Sequence, residues 1–267
     1  MKIGLIGIGK MGEALIASFL GKGLAKKEEI FCSDISDERR NYVKKKFGIS
    51  VAKNNSEVVK KAEIVFLSIK PQQMHQVLDE IKDFVAEKHL IISIAAGIKI
   101  GTIESKLRMA RVIRVMPNTP CIVGEAMSCY ALGKKVTEED KSLAEILFNS
   151  FGKSLLLEEE LLDVVTALSG SGPAFLAVVL DSMAKAGIKE GLKKEDAYLM
   201  AYQTALGTGK LLLEKGITTD ELIKMVATPG GTCEQGLNVM NSSDIREILQ
   251  KAIKAATERS KELGGNG

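Results

Sequence analysis

Hydrophobic and polar positions alternate on two length scales along this chain. Over roughly the first 150 residues, short apolar runs at 2–6, 30–33, 64–69, 90–95, 111–116 and 127–131 read as β-strands. Between them, 11–20, 72–84 and 138–150 carry apolar residues at helical spacing, 38–46 reads as a basic surface helix, and 56–61 and 100–106 as shorter helices. Strands that alternate with helices are joined by crossovers. The expected fold is therefore α/β, a doubly wound and mostly parallel sheet with helices on both faces.

The pattern changes near residue 160, where strand signals stop. Residues 173–186, 195–213 and 245–262 read as helices, and the first is apolar nearly all round, broken only by Asp181 and Lys185. Small residues (Ala201, Ala205, Gly207, Gly209) run along the second, and the third is charged and amphipathic. A helix apolar on every side must be buried on every side, and a helical domain of about 100 residues has few such positions. A second copy of the chain is therefore expected to cover 174–180, making an obligate dimer through an all-helical domain. The expected division is 1–160 and 161–267, in keeping with about 150 residues per domain, and 264–267 reads as a frayed tail.

Composition narrows the chemistry. The chain has no Trp and only two histidines, His75 and His89, which leaves no multi-histidine metal site and few acid–base candidates, so a bound cofactor is expected to carry the reaction. Both histidines read most simply as surface residues. The formal net charge is +3 and neither half is a polycation; with eight Phe and four Tyr not interleaved with basic residues, nucleic acid is not an expected partner. Cys32, Cys121, Cys129 and Cys233 form no C-x-x-C pair and sit in apolar or Gly-rich surroundings, the pattern of reduced thiols in the cytoplasm. The longest uncharged stretch, 164–180, is 17 residues with Ser169-Gly170-Ser171-Gly172-Pro173 inside it, short of the roughly 20 that a membrane span needs, so no membrane segment is expected.

Gly7-Ile8-Gly9-Lys10-Met11-Gly12 satisfies G-x-G-x-x-G, directly after the first strand and at the start of a helix. In that context the first glycine permits a tight turn, the second lets the backbone approach a pyrophosphate at the helix N-terminus, and the third packs helix on strand. The first domain is thus expected to be Rossmann-type. Asp34 lies 22 residues beyond Gly12, where an acidic side chain takes ribose hydroxyls, a spacing that favours NAD. Lys10, Arg39 and Arg40 could instead reach a 2′-phosphate, or be solvated charges, so NAD and NADP both stay open. Two more loops end strands on the same side: Ser68-Ile69-Lys70-Pro71 and Ala95-Ala96-Gly97. In Met116-Pro117-Asn118-Thr119-Pro120 two prolines bracket Asn-Thr, a stiff loop that either holds the Asn118 amide against a nicotinamide or substrate, or is a structural turn.

Further on, Leu168-Ser169-Gly170-Ser171-Gly172-Pro173-Ala174-Phe175 and Thr228-Pro229-Gly230-Gly231-Thr232-Cys233 follow in order. With these segments the chain resembles pyrroline-5-carboxylate reductases, essentially end to end. The resemblance implies reduction of the cyclic imine 1-pyrroline-5-carboxylate to proline by NADPH or NADH, the last step of proline synthesis, in dimers that often assemble into decamers. Carried over position by position, it implies cofactor contacts at Ile6, Gly7, Ile8, Gly9, Lys10, Met11, Asp34, Asn55, Ser68, Ile69, Lys70, Pro71, Ala96 and Gly97. It places the substrate where 116–120 meets the helical domain, with Gly230, Gly231, Thr232 and Cys233 around its carboxylate and ring nitrogen.

A Pro-Gly-Gly-Thr turn opening a helix offers unsatisfied N–H groups that suit a small carboxylate, although it also reads as a simple N-cap. The family usually has Thr where this chain has Cys233. A thiol is a weaker donor than a hydroxyl but a stronger acid, so Cys233 either protonates the nitrogen or fills space while water does. A β-hydroxyacid dehydrogenase is the nearest enzymatic rival, but the helix after the Ser-Gly-Ser-Gly segment has no Lys until Lys185. A reductase of another cyclic imine and a non-catalytic dinucleotide-binding regulator complete the alternatives.

Overall fold

In the computed structural model, which describes residues 1–265, the first strand β1 (Ile3–Ile6) is buried along its whole length. It is followed by α1 (Lys10–Gly21), β2 (Ile30–Ser33), α2 (Asp37–Phe47), β3 (Ser50–Val51), α3 (Asn55–Lys61), β4 (Ile64–Leu67) and α4 (Met74–Ile81). Then come β5 (Leu90–Ser93), α5 (Ile100–Lys106), β6 (Arg111–Met116), β7 (Ala126–Leu132), α6 (Glu138–Asn149), β8 (Gly152–Leu156) and α7 (Leu162–Val165). Five helices complete the chain: α8 (Gly172–Lys189), α9 (Lys194–Lys215), α10 (Thr219–Val226), α11 (Thr232–Asn241) and α12 (Ile245–Gly265).

The strands form one sheet in the order β3-β2-β1-β4-β5-β6-β7-β8, parallel throughout except where β7 runs antiparallel to β6. Its central strands β1, β4 and β5 are covered on both faces, so they read as continuous apolar runs whose alternate residues enter two separate cores. Ile3, Leu5, Ile64, Phe66 and Ile92 pack on one side with Leu15 and Phe19 of α1 and Phe148 of α6. Ile6, Val65, Leu67 and Ile91 pack on the other with Val58 of α3 and Leu78 of α4. Each such side chain contributes roughly 1.5–3 kcal/mol by leaving water. Side chains close several helix starts: Ser36 caps α2, Asn54 caps α3, and Thr137 with Asp140 forms a capping box at α6.

Two short strands escaped the apolar pattern. β3 is a two-residue edge, and β8, Gly-Lys-Ser-Leu-Leu, is held by its ladder to β7 and not by alternation. The two compact units also divide differently from the expected 160/161. One comprises Met1–Ser171 together with the residues from Lys254 on; the other is Gly172–Ile253. The reason lies in residues 159–171, which lack strand signals but pack on the sheet: Leu162 and Val165 join its core, and buried Arg114 pairs with Glu159 at 3.2 Å. The end of α12 belongs there too, since Ser260 Oγ donates to Asp163 at 2.7 Å and Gly264 backbone lies against Gly97. Helix α12 therefore continues through Gly264 and Gly265, where a frayed tail is expected; residues 266–267 of that tail lie outside the described residues.

The second unit has little core of its own. Ala184 of α8 meets Ala197 and Ala201 of α9, flanked by Leu180, Ile188 and Tyr198, whose hydroxyl donates to Asp181 at 2.6 Å. Its larger apolar side chains point outward, among them Val178, Leu199, Leu206 and Val239, each more than 60% exposed. Residues 174–180, where a covering partner is expected, are exposed or half-buried in the single chain. One helical run, Glu159–Lys189, is long and apolar enough by length and composition to cross a membrane. The 17-residue count understates it, because winding extends on either side of the uncharged stretch.

His89, expected at the surface, is 1% exposed. The Ala86 N–H donates to its Nδ1 at 2.8 Å and its Nε2 faces the Val59 carbonyl at 3.1 Å, so the ring is a neutral connector between segments. Burial pushes its pKa below the ordinary 6.5. Because the unfolded chain then takes up a proton that the folded one refuses, stability is full above about 6.5 and falls as pH drops below it. Thermal melts at pH 5 to 8 should show this decline in the wild-type protein, and His89→Gln should be less stable at pH 8 but flatter with pH.

Candidate functional site

Strand order reverses between β1 and β4, and the loops that leave these two strands define a cleft at their C-terminal ends. At the end of β1 the chain turns through Gly7, whose φ of +88° suits glycine, and Gly7 N–H donates to Ser33 O at 2.9 Å. A Cβ on Gly7 would stand 2.3 Å from Ser68 O, and one on Gly12 would stand 2.5 Å from Gly7 O. The first and third glycines are thus demanded by the protein itself. Gly9 is different: it is the N-cap of α1 with no side-chain cap, and a Cβ there would meet no protein atom within 4 Å. Its bareness leaves room for a ligand to approach the first amides of α1.

The cleft beside this turn has a volume of about 530 Å³. Of the residues singled out from the sequence, Ile6, Gly7, Gly9, Asp34, Asn55, Ser68, Ile69 and Lys70 line it. The others stand elsewhere. Ile8 is fully buried in the core and Lys10 is exposed at the start of α1. Met11 Sδ meets Cys121 Sγ at 3.2 Å, and Pro71 opens a short 3-10 turn. Half-buried Ala96 follows β5, and Gly97, at φ +76°, is packed against the Gly264 backbone.

The cleft's polar walls are cross-braced. Asn55 accepts from Ser33 Oγ at 2.7 Å, while its backbone and side-chain nitrogens donate to Glu80 of α4 at 2.9 and 2.7 Å. Glu80 and Lys53 also line the cleft, and neither carries a sequence signal, because their places depend on how α3 and α4 dock. Asp34 Oδ2 accepts from Ile8 N–H at 2.8 Å and Oδ1 from Ser36 N–H at 2.9 Å. Arg39 is turned onto the glycine turn, donating to Ile8 O and Gly9 O, pairing with Glu13 and covering the Tyr42 ring at 4.8 Å. Arg40 lines the cleft and donates to Asp34 O and to Asp37. Burial would raise the Glu13 carboxyl, but hydrogen bonds from Lys46, Arg39 and Tyr42 outweigh it and hold it at about 2. That brace is complete above the ordinary 4.5 and is lost as pH falls toward about 2.

The remaining motifs take defined places. Asn118 Nδ2 donates to Ser169 O and Oγ, both at 3.2 Å, and Oδ1 accepts from Met127 N–H at 3.0 Å. Its amide therefore braces the turn that joins these segments. Thr166–Gly170, which ends in the first Ser-Gly of the Ser-Gly-Ser-Gly segment, winds as a single π-helical turn closed by Ser171 N–H on Thr166 O at 2.9 Å. A Cβ on Gly170 would press on Met116 Cε at 2.9 Å.

In the second unit, Gly230 has φ +73° and Gly231 is the N-cap of α11, again with no side-chain cap. A Cβ on Gly231 would stand 2.4 Å from Thr228 Oγ1. Gly230 N–H donates to the Glu234 carboxylate at 2.8 Å, so one of the expected free amides already holds a carboxylate from this chain. Half-buried Cys233 sits in the first turn of α11. Cys32, Cys121 and Cys129 are buried free thiols, and burial pushes their pKa values up, Cys32 to about 12. Among the described residues, no group of three His, Cys, Asp or Glu side chains is placed to hold a metal ion.

Known proteins share this arrangement over their whole length. A pyrroline-5-carboxylate reductase of Methanosarcina acetivorans is 41% identical over 264 residues, 98% of each chain, and one of Arabidopsis thaliana is 37% identical over 98% of this chain and 95% of its own. The chain belongs to the pyrroline-5-carboxylate reductase family. That family's dimerisation region matches residues 159–263, and residues 2–97 match the family described as NADP oxidoreductase, coenzyme F420-dependent. Among solved structures, a pyrroline-5-carboxylate reductase from Coxiella burnetii superposes with a TM-score of 0.92 at 33% identity, covering 98% of both chains. The Plasmodium falciparum reductase with NADP bound gives 0.88 at 31%, covering 99% of this chain and 98% of its own. The dimerisation match supplies the partner surface that the bare apolar helices of the second unit require.

The three glycines of the first turn should separate by cause. Gly7→Ala and Gly12→Ala each force backbone apart and should cost about 1–3 kcal/mol in denaturant unfolding. Gly9→Ala should stay within about 0.5 kcal/mol of wild type.

Proposed function

We propose that this protein reduces 1-pyrroline-5-carboxylate to L-proline with NADPH or NADH. The observation that carries this reading is the end-to-end match to the Methanosarcina enzyme, 98% of each chain, on a structure whose glycine turn leaves Gly9 bare beside a cleft. The reduced nicotinamide, when bound, supplies a hydride to the imine carbon, and a proton must reach the ring nitrogen.

The chain's own residues do the holding. Gly7, Gly9 and the first amides of α1 receive the pyrophosphate; Asp34 and Asn55 line the ribose side; Ser68, Ile69 and Lys70 close the opposite wall. Ile8, Met11 and Gly12 act from behind, by shaping the turn, and Ala96 and Gly97 extend the site along the end of β5. The turn at Gly230, Gly231 and Thr232 takes the substrate carboxylate on the orphan amides of α11, with the Glu234 carboxylate giving way to it. Asn118 serves by keeping its loop in place, and Cys233 holds the proton for the ring nitrogen.

The apolar outer faces of α8 and α9 support a homodimer, with a decamer built from dimers, and we read Glu159–Lys189 as part of that dimer surface and not as a membrane span. Free buried thiols fit a cytoplasmic protein.

Purified protein should oxidise NADPH or NADH with 1-pyrroline-5-carboxylate and form proline, while a panel of 2-hydroxy acids gives no turnover with the oxidised cofactors. Absence of proline with tight cofactor binding would favour a non-catalytic regulator. Gly9→Ala, folded as wild type, should bind the dinucleotide at least about tenfold more weakly. Cys233→Ala should lower kcat by about 100-fold and move its pH profile, with Cys233→Ser retaining part of the rate. Wild-type rate and pH dependence in both variants would exclude Cys233 as the proton donor.

A further inference from the structure

The two nicotinamide dinucleotides differ only at the adenosine 2′ position, a hydroxyl in one and a phosphate in the other. Selection between them is decided at the end of β2, and the residue there is Asp34, which lines the cleft directly after Ser33. Its carboxylate is clamped by two amides from separate segments, Ile8 N–H on Oδ2 at 2.8 Å and Ser36 N–H on Oδ1 at 2.9 Å. It cannot swing aside without stranding both donors. Each oxygen keeps a second lone pair, which suits the two hydroxyls of an unmodified ribose, and offers nothing to a phosphate oxygen but like charge.

The neighbouring cations do not compensate. Arg39 is consumed on the glycine turn by Ile8 O, Gly9 O and Glu13, and lies over Tyr42. Lys46 is drawn to the same Glu13 at 2.7 Å, and Arg40 donates to Asp34 O and pairs with Asp37. Three cations beside the pocket are thus held by two carboxylates, Arg39 and Lys46 by Glu13 and Arg40 by Asp37, while the Asp34 carboxylate takes backbone N–H groups. Freeing Arg40 for a phosphate would leave Asp37 and the Asp34 carbonyl without it. Lys53 and Lys70 also line the cleft; Lys70 follows β4, which leaves Lys53 as the lining lysine that follows β3.

We propose that Asp34 makes this site select NADH over NADPH. The inference rests on the reading that the cleft holds the dinucleotide, and the test separates the two. Binding of NADH, NADPH, ADP-ribose and 2′-phospho-ADP-ribose is measured by calorimetry on the full chain, without substrate. NADH and ADP-ribose should bind at least about tenfold more tightly than their phosphorylated counterparts. Asp34→Asn and Asp34→Ser should erase that ratio or reverse it, chiefly by tightening NADPH. Equal or tighter NADPH binding by the wild-type protein would overturn the proposal, and so would a loss confined to NADPH in Lys53→Ala together with an unchanged ratio in Asp34→Asn. Should the Asp34 variants fail to fold, the wild-type ratio decides alone. Binding of neither dinucleotide sinks both this proposal and the cleft assignment. A clear NADH preference without proline formation keeps the proposal and sinks only the reductase reading.

Discussion

The first unit depends on an approach of backbone to backbone that tolerates no side chain. The turn after β1 rests against the carbonyl of Ser68 after β4, and Gly12 brings α1 down on the carbonyl of Gly7. A methyl group at either position would meet an oxygen at 2.3 or 2.5 Å, well inside contact distance. These two contacts set the distance between strand, turn and helix, and therefore where the α1 amides point. The cleft is a consequence of that packing. Gly9, which no protein atom constrains, is free to serve a ligand because its neighbours already hold the turn.

Around that turn the charged groups act mainly on the protein. Arg39 looks from its position like an anion-binding residue, yet it crosses back to two carbonyls of the turn and to Glu13. Asp34 looks like a ribose ligand and is also a brace, since Ile8 N–H ends on it. The same carboxylate therefore shapes the glycine turn and sets the sign of charge at its mouth, which couples cofactor choice to the geometry of the loop.

The second unit shows the opposite economy. Its private core is three alanines with a few flanking side chains, and most of its large apolar residues face outward. Hydrophobic burial is the main source of folding free energy, so such a unit is complete only when another surface covers it. The dimerisation family match over 159–263 names that surface as a second copy.

Much of this was legible in the sequence. Strands buried on both faces must be continuously apolar, so β1, β4, β5 and β6 announce themselves, and a helix apolar all round announces a partner. The glycine turn is legible because only glycine can occupy it. What the sequence could not carry were features that depend on distant segments meeting. β8 exists through its ladder to β7, His89 is buried because Val59 and Ala86 close over it, and Asn118 is occupied because Ser169 and Met127 reach it. The residues from Lys254 on join the first unit because Ser260 finds Asp163 across 97 positions of chain. Sequence by itself determined the fold class, the glycine turn and the need for a dimer, since each follows from local periodicity or from the absence of a Cβ. Tertiary structure alone decided which charges are spent and which are available, because a hydrogen bond between residues 26 or 31 positions apart has no local signature.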